Sequence, residues 1–597
     1  MRRLWNEKIT KEQKESIGIL IMIIFLALFQ VIRCINYPGA YMDAVMPDYM
    51  AVHLLFPQKH NPTYEVAHVG FPLLGQLYHG TITVWLQLLA VGLTGKASML
   101  TLRLANMTYV VGICWFIYLI CKRIGVNKAI SITGIASILL SPQVYSFVRT
   151  QYYIKLPGTL FLFASLYCLL YIGSKKEKIG YSVALSGILC GLAFYSYFIY
   201  LFFVPAMVIL CAFRVRKYGL KICINIINWL IGFCMGSILY VIGYFDMLIT
   251  KSSLDDGDKK TVIYIFGTAL IFACIFLYIY IINNYSNTGK LIKIYIFIFS
   301  FAVIVIIALM INFEYVCSVI MPRVESLNIT QNKMNLTERI ETILTYWRDV
   351  MGNKYLEWFM LDTLTSILPQ IYMYLLEILT IITIFIYVIT KCNDKILNTI
   401  KIFIFMLFSY FLCSLVLISR MGGQHFTPIF FITFMILILE LGYIRKNGQF
   451  HLVSKLVTSI VAFLLIISIV NSNLLNANMK MTGGKGKYSS QINQVAKEAL
   501  DAKMSSQKEV YIFPEWGWSC GFSYLTMNQV DFMLSLDTNR LNEFLEQGYI
   551  FKLCGWDEKN ITVYQDILDD MGIDEITVEY RYSKDGNKDF YILYADQ

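Results

Sequence analysis

A chain of 597 residues that is 57% hydrophobic and only 15% charged, with a mean hydropathy of +0.59, carries too little charge to solvate a globular surface of its size. This excludes a soluble enzyme and indicates an integral membrane protein. The net charge of +10 calls for no nucleic acid, because basic residues that fix orientation in a membrane give the same excess, and the 41 Tyr and 40 Phe suit helix ends at a lipid interface.

Apolar runs of roughly 20 residues, the length that crosses a bilayer, predict spans near 17–34, 99–121, 129–143, 156–173, 180–193, 197–213 and 222–244. Further spans follow near 262–283, 294–312, 367–390, 398–418, 426–444 and 456–473, thirteen in all. Arg2, Arg3, Lys8, Lys11 and Lys14 precede the first, which lacks a small-residue cleavage site, so it reads as a retained anchor with a cytoplasmic amino terminus. Basic clusters recur after every second crossing: Lys122/Arg123/Lys128, Lys175/Lys176/Lys178, Arg214/Arg216/Lys217/Lys221, Lys290/Lys293, Lys391/Lys395 and Arg445/Lys446/Lys455. Such clusters on both flanks make residues 180–213 cross twice, with the turn near "FYSYF", and the odd total puts the carboxyl terminus outside the cell membrane.

Two long loops fall on the outer side. Residues 35–98 contain "YMDAVMPDYM", where Asp43 and Asp48 lie, and a polar stretch rich in Pro and Gly. Pro47 suits the first position of a helix through "PDYMAVHLLF", which would put Asp48 in its first turn, where a carboxylate is favoured by the helix dipole. Asp43 is not needed for that helix. The second loop, 313–366, holds "NLTERIETILTYWRDVM", with Asn335 and Glu338 at capping-box spacing and Leu336, Ile340, Ile343, Trp347 and Val350 on one face. That pattern predicts an amphipathic helix on the outer leaflet.

The composition becomes that of a soluble fold from about residue 476, which divides the chain into a membrane domain, 1–475, and a small extracytoplasmic α/β domain, 476–597. Here "EVYIFPE" and "DFYILYAD" read as strands, "QINQVAKEALDAKM" and "NITVYQDILDDMG" as helices. Cys520 and Cys554 could pair in an oxidising compartment. The other cysteines read as small apolar fillers, and no CxxC or HExxH spacing points to a metal. His53, His60, His68 and His79 fit no ligand pattern and read as acceptor contacts or plain surface; Glu377, the one acid well inside a span, is a functional candidate.

The run from Gly92 to Thr150, with Gly95, Arg103, Ser141-Pro142 and Arg149 in order, resembles the second and third membrane helices of the GT-C glycosyltransferases, in particular the bacterial protein-mannosyltransferase-like and aminoarabinose-transferase-like group. "GILCGLAFYSYFIYLFFVPAM" is similar to that group's hairpin, and "RMGGQHFTPIFF" to its entry into a late helix. The resemblance covers residues 20–245 well and the remainder by topology. It implies an α-helical polytopic enzyme that passes a sugar from a polyprenyl phosphate or pyrophosphate to an acceptor on the outer face, the acceptor being a glycan, a lipid or a protein. It also implies a catalytic acid in the first external loop, a position that Asp43 matches, although Ala44 replaces the usual second acid.

Attack on an anomeric carbon requires a base for the incoming hydroxyl, and a positioned carboxylate serves. The catalytic candidates are therefore Asp43, as base, and Asp48. An anionic lipid phosphate as leaving group requires cations on the same side, and Arg103, Arg149, Lys155, Arg420 and His425 all map there. A divalent metal held between two loop acids is disfavoured, because Lys155 stands where many relatives have an acid and no acid occurs from Arg149 to Lys176. The alternatives are a transporter or flippase of lipid-linked sugars, which lacks support from an inverted repeat or from intramembrane acids, and a non-catalytic scaffold.

Overall fold

The computed structural model describes residues 10–58, 61, 71–76, 78–171, 179–250, 334–352, 374, 378, 394–418, 421–446, 451–484, 486–573 and 575–595. The predicted spans at 262–283 and 294–312 lie outside the described residues, as do Arg420, Glu377, His60, His68 and, apart from residues 374 and 378, the span at 367–390.

Among the described residues seven helices are long and apolar enough to cross a membrane: Glu12–Ile32, Met99–Ile124, Gln151–Tyr171, Ile179–Ser196, Phe198–Lys217, Lys395–Leu415 and Gly423–Lys446. An eighth is the pair Ile222–Gly236 and Ile238–Tyr244, bent by 52°. The hairpin expected in 180–213 forms, with the break at Ser196 and Tyr197 inside "FYSYF". The expected span at 129–143 differs. It is a 12-residue helix, Lys128–Leu139, followed by a separate turn of helix at Pro142–Phe147. Proline has no N–H to continue the first helix, and Ser141 caps the second by accepting from the Val144 amide at 3.2 Å. The last predicted span lies in a longer helix, His451–Thr482, which runs past the compositional boundary at 476.

Helix Gly423–Lys446 is the axis of the bundle, with residues 427–444 all buried. Helices Ile179–Ser196 and Ile222–Gly236 approach through glycines at four-residue spacing. A Cβ at Gly187 would stand 2.1 Å from the Trp229 carbonyl oxygen, and one at Gly236 would stand 2.0 Å from that of Ile188. Small residues at this spacing let backbones meet, the source of helix association in lipid, where apolar burial drives little.

The helix Leu336–Gly352 has the capping box its sequence predicts: the Glu338 amide donates to Asn335 Oδ1 at 2.9 Å, and the Asn335 amide to Glu338 Oε2 at 2.9 Å. Its face carrying Ile343, Trp347 and Val350 packs on the bundle rather than on lipid alone.

In the first loop, strands β1 (Leu74–Gln76) and β2 (His79–Gly80) make a short hairpin. Near the carboxyl terminus, β3 (Glu509–Ile512), β4 (Asp531–Met533), β5 (Ile550–Gly555), β6 (Ile576–Tyr582) and β7 (Lys588–Ala595) form one sheet in the order β4-β3-β5-β7-β6. β3 runs parallel to β4 and β5, and β7 antiparallel to β5 and β6. Helices Gln491–Met504 and Asn560–Asp570 coincide with the predicted helical segments. Cys520 and Cys554 are both free. They are buried in different clusters, Cys520 against the first loop and Cys554 inside the sheet's core, so the pairing considered from sequence is not formed.

This α/β unit docks on the first loop through the helix Ser519–Leu525. Cys520 and Tyr524 join Ala40, Val45, Met50 and Val84 in one apolar cluster. Around it the Tyr524 hydroxyl donates to Gln87 Oε1 at 3.0 Å, Ser523 Oγ meets His53 Nε2 at 3.0 Å, and Asn61 Nδ2 donates to Asn528 Oδ1 at 2.8 Å. His53 is thus a docking residue rather than surface, and burial holds its imidazole neutral, with the pKa pushed down to about 4. A Cβ at Gly521 would lie 1.9 Å from the Ala40 carbonyl oxygen. Gly521→Ala is therefore expected to destabilise the protein by about 1–3 kcal/mol through overpacking. Gly92→Ala, where no atom lies within 4 Å, should not. Thermal unfolding in detergent checks the pair, and equal melting temperatures would contradict the docking geometry.

Candidate active site at the junction of three helical turns

Three short 3-10 turns from distant parts of the chain converge: Met42–Ala44, Gln151–Lys155 and Gly423–Phe426. Each brings one of the residues singled out from sequence, Asp43, Lys155 and His425.

The turn with Asp43 is pinned from the carboxyl-terminal unit, where the Met42 amide donates to the Gly517 carbonyl at 3.0 Å and the Gly39 amide to that of Tyr488 at 2.8 Å. Asp43 is half-buried. Burial raises its pKa above the ordinary carboxylate value, opposed by a hydrogen bond from the Tyr41 hydroxyl and then by the charges of Lys155 and Lys487. The same contact and its own burial push the Tyr41 phenol up to about 12. Asp43 therefore keeps a proton acceptor at the site, made more basic than in water and aligned by a neutral tyrosine.

Lys155 is buried, its Nζ donating to the Gln151 carbonyl at 3.1 Å and lying 4.7 Å from the Tyr197 ring centroid. A buried ammonium is costly unless an opposite charge faces it, and Asp43 supplies that charge. Tyr197 in turn meets His425 Nε2 through its hydroxyl at 3.0 Å, and His425 Nδ1 lies 3.0 Å from the Gly422 carbonyl oxygen. His425 thus orients Tyr197, which floors Lys155.

The two arginines are placed differently. Arg103 donates to the carbonyls of Cys34 and Pro38, both at 2.7 Å, and to that of Ile35. Arg149 donates to the carbonyls of Gln30 at 2.8 Å, Val31 at 3.2 Å and Cys34 at 3.3 Å, and its guanidinium lies 3.8 Å from the Tyr145 ring centroid. The Gln30 and Val31 carbonyls are orphans where the first helix, Lys11–Ile32, ends, so Arg149 complements its dipole, whereas the carbonyls that Arg103 holds lie in the loop just past it. Both arginines hold the start of the first loop, from which Asp43 projects.

For Asp48 the structure corrects the sequence expectation. Residues 45–49 form successive turns, the helix starts only at Met50, and Asp48 lies outside it. It is wholly buried, with Thr83, Gln87 and Tyr153 beside it but no hydrogen bond of good geometry to either carboxylate oxygen. Burial pushes its pKa up to about 7 against the weaker opposing influence of Thr83, Gln87 and Tyr153.

Among the described residues no three His, Cys, Asp or Glu side chains converge on one point. Sequence reasoning missed Tyr41, Tyr78, Tyr197, Lys487 and Trp516. The tyrosine-rich "FYSYF" was visible but read only as a turn, and nothing local marks Lys487 or Trp516 as neighbours of a residue in the first loop.

The fold is that of a polytopic helical bundle, with Asp43, Lys155 and His425 brought to one junction beside its first loop. Residues 78–242 match the model of the family described as dolichyl-phosphate-mannose-protein mannosyltransferase, a segment carrying Arg103, Arg149 and Lys155. The chain is also similar to the crystal structure of ArnT from Cupriavidus metallidurans bound to undecaprenyl phosphate, at 7% identity over 97% of this chain and 98% of that one, with a TM-score of 0.39. A search of curated proteins finds no significant relative.

Proposed function

We propose that the protein transfers a sugar from a polyprenyl-phosphate-linked donor to a hydroxyl of an acceptor at the outer face of the membrane, with the amino terminus cytoplasmic and the α/β unit outside. The observation that carries this reading is the meeting of the three turns that bear Asp43, buried Lys155 and His425. The acceptor oxygen forms a bond to the anomeric carbon as its proton passes to the Asp43 carboxylate. The bond from that carbon to the phosphate oxygen breaks, and the lipid phosphate departs with the electron pair. Lys155, assisted by Arg420, stabilises the charge developing there, while Arg103 and Arg149 hold the loop that presents Asp43. Cation stabilisation alone serves this step without a divalent metal.

The bundle supports chemistry better than passage of an intact lipid-linked sugar, since a base and a cation facing each other are unnecessary for moving one. Mass spectrometry of lipid-linked sugars and surface glycans tests the proposal in cells without the gene, with the wild type and with Lys155→Met. Loss of the gene should accumulate one donor lipid and remove one modification. Lys155→Met should reproduce this, since a lost charged hydrogen bond weakens donor binding by about 1.5–3 kcal/mol. Unchanged lipids and glycans in the Lys155→Met cells would refute the assignment.

A further inference from the structure

We propose that Trp516 of the α/β unit and Tyr78 of the first loop form a sugar-binding subsite beside Asp43, taking a pyranose ring of a glycan acceptor. The proposal rests on the placing of Asp43 as the catalytic base.

Both residues are open to their surroundings, Trp516 at 53% exposed and Tyr78 at 41%. Exposed aromatics scattered singly need no explanation, but these two border the junction where Asp43 and Lys155 lie. The turn of Trp516 abuts that of Asp43, since the Met42 amide donates to the Gly517 carbonyl at 3.0 Å, and Tyr78 packs on Tyr197, whose ring centroid lies 4.7 Å from Lys155 Nζ.

The turn that presents Trp516 is also held rigidly. Its carbonyl accepts from Trp556 Nε1 at 3.0 Å, and Trp556 stacks on Trp518 with centroids 4.3 Å apart. Gly517 follows at φ +126°, in the region that favours glycine, and a Cβ there would crowd Trp556 at 3.2 Å and Tyr41 at 3.3 Å. Of the three tryptophans, 518 is buried and 556 half-buried, whereas 516 is turned outward. Tyr78 is fixed from the bundle side, where its carbonyl accepts from the Phe198 amide at 2.9 Å and its ring lies 5.6 Å from that of Tyr197.

Preorganised aromatic faces lose little entropy on binding. A pyranose has one face of C–H groups, weakly positive, that matches the negative face of an aromatic ring, and a rim of hydroxyls that needs donors and acceptors. The Tyr41 phenol, the exposed Lys487 and Asp43 supply that rim. A ring seated on Trp516 rests on the α/β unit at the turn joined to that of Asp43, so in this proposal the acceptor enters over the α/β unit. The competing role for an outward tryptophan is to anchor in lipid.

Saturation-transfer NMR on the full-length protein in nanodiscs tests this, with methyl glycosides of mannose, glucose, galactose and N-acetylglucosamine, and with maltotriose and chitotriose as probes. At least one probe should show transfer to its ring C–H protons with the wild type and with Asp43→Asn. Trp516→Ala and Trp516→Leu should bind that probe about three- to tenfold more weakly, and Trp516→Phe should restore it. Absence of any Trp516-dependent binding across the six probes overturns the proposal. So does quenching by bromolipid that is lost in Trp516→Phe, which would put the ring in the membrane. Retained transferase turnover in Asp43→Asn would instead remove the catalytic assignment while leaving the sugar-binding result readable.

Discussion

Asp43→Asn is expected to lower transfer by roughly 100-fold or more while folding and donor binding stay close to normal, the usual loss when a general base is removed. The amide keeps the shape of the carboxylate and can still face the Tyr41 hydroxyl, so the turn Met42–Ala44 has no reason to move. What it loses is the ability to take a proton, and with it the charge opposite Lys155. Because burial raises the Asp43 pKa in the resting protein, wild-type turnover should also fall as pH drops through that raised value, when the base becomes protonated. The acid limb should vanish from the residual activity of the variant. Near-normal turnover of purified Asp43→Asn with a radiolabelled lipid donor would assign the base elsewhere.

How far this site could be read from sequence follows from the range of the forces that build it. Hydrophobic length located eight of the spans because a bilayer imposes it locally, and the Asn335 and Glu338 box was legible because a cap is decided within four residues. The helix Lys128–Leu139 was overextended because apolar character continues across Ser141-Pro142 although hydrogen bonding cannot. Asp43, Lys155 and His425 could be named from residue type and the family's order, yet their meeting depends on three turns far apart in sequence. Arg103 and Arg149 are expected from sequence as phosphate ligands, and a guanidinium suits phosphate and backbone carbonyls alike. Only the placing of Cys34, Ile35 and Gln30 shows which carbonyls they hold. The aromatic surroundings of Asp43 were illegible for the same reason, since Trp516 and Lys487 arrive on a separately folded unit whose docking is recorded in no local pattern.

Asp48 gives the largest expected effect on stability. An exposed dipole contact would be worth less than about 1 kcal/mol, but the side chain is wholly enclosed, with no hydrogen bond of good geometry to either oxygen. Thr83 Oγ1 and the Tyr153 hydroxyl stand beside it without a hydrogen bond of good geometry. An ionised carboxylate in such a place is strongly disfavoured, and its pKa is pushed up to about 7 from 3.8. The folded state therefore binds one proton more than the unfolded chain between about pH 4 and pH 7. Stability from this group is fully present below the unfolded value and is lost as pH rises to the folded one, on the order of 4 kcal/mol across the window at 1.36 kcal/mol per unit. Asp48→Asn keeps the shape, carries no charge at any pH and offers an N–H to the two hydroxyls beside it. The melting temperature of the wild type relative to Asp48→Asn should then fall steadily from pH 4 to pH 7 and level off above, with the variant the more stable at pH 8. Parallel curves for the two proteins, or a variant less stable at pH 8, would show that Asp48 is held ionised by a partner in solution.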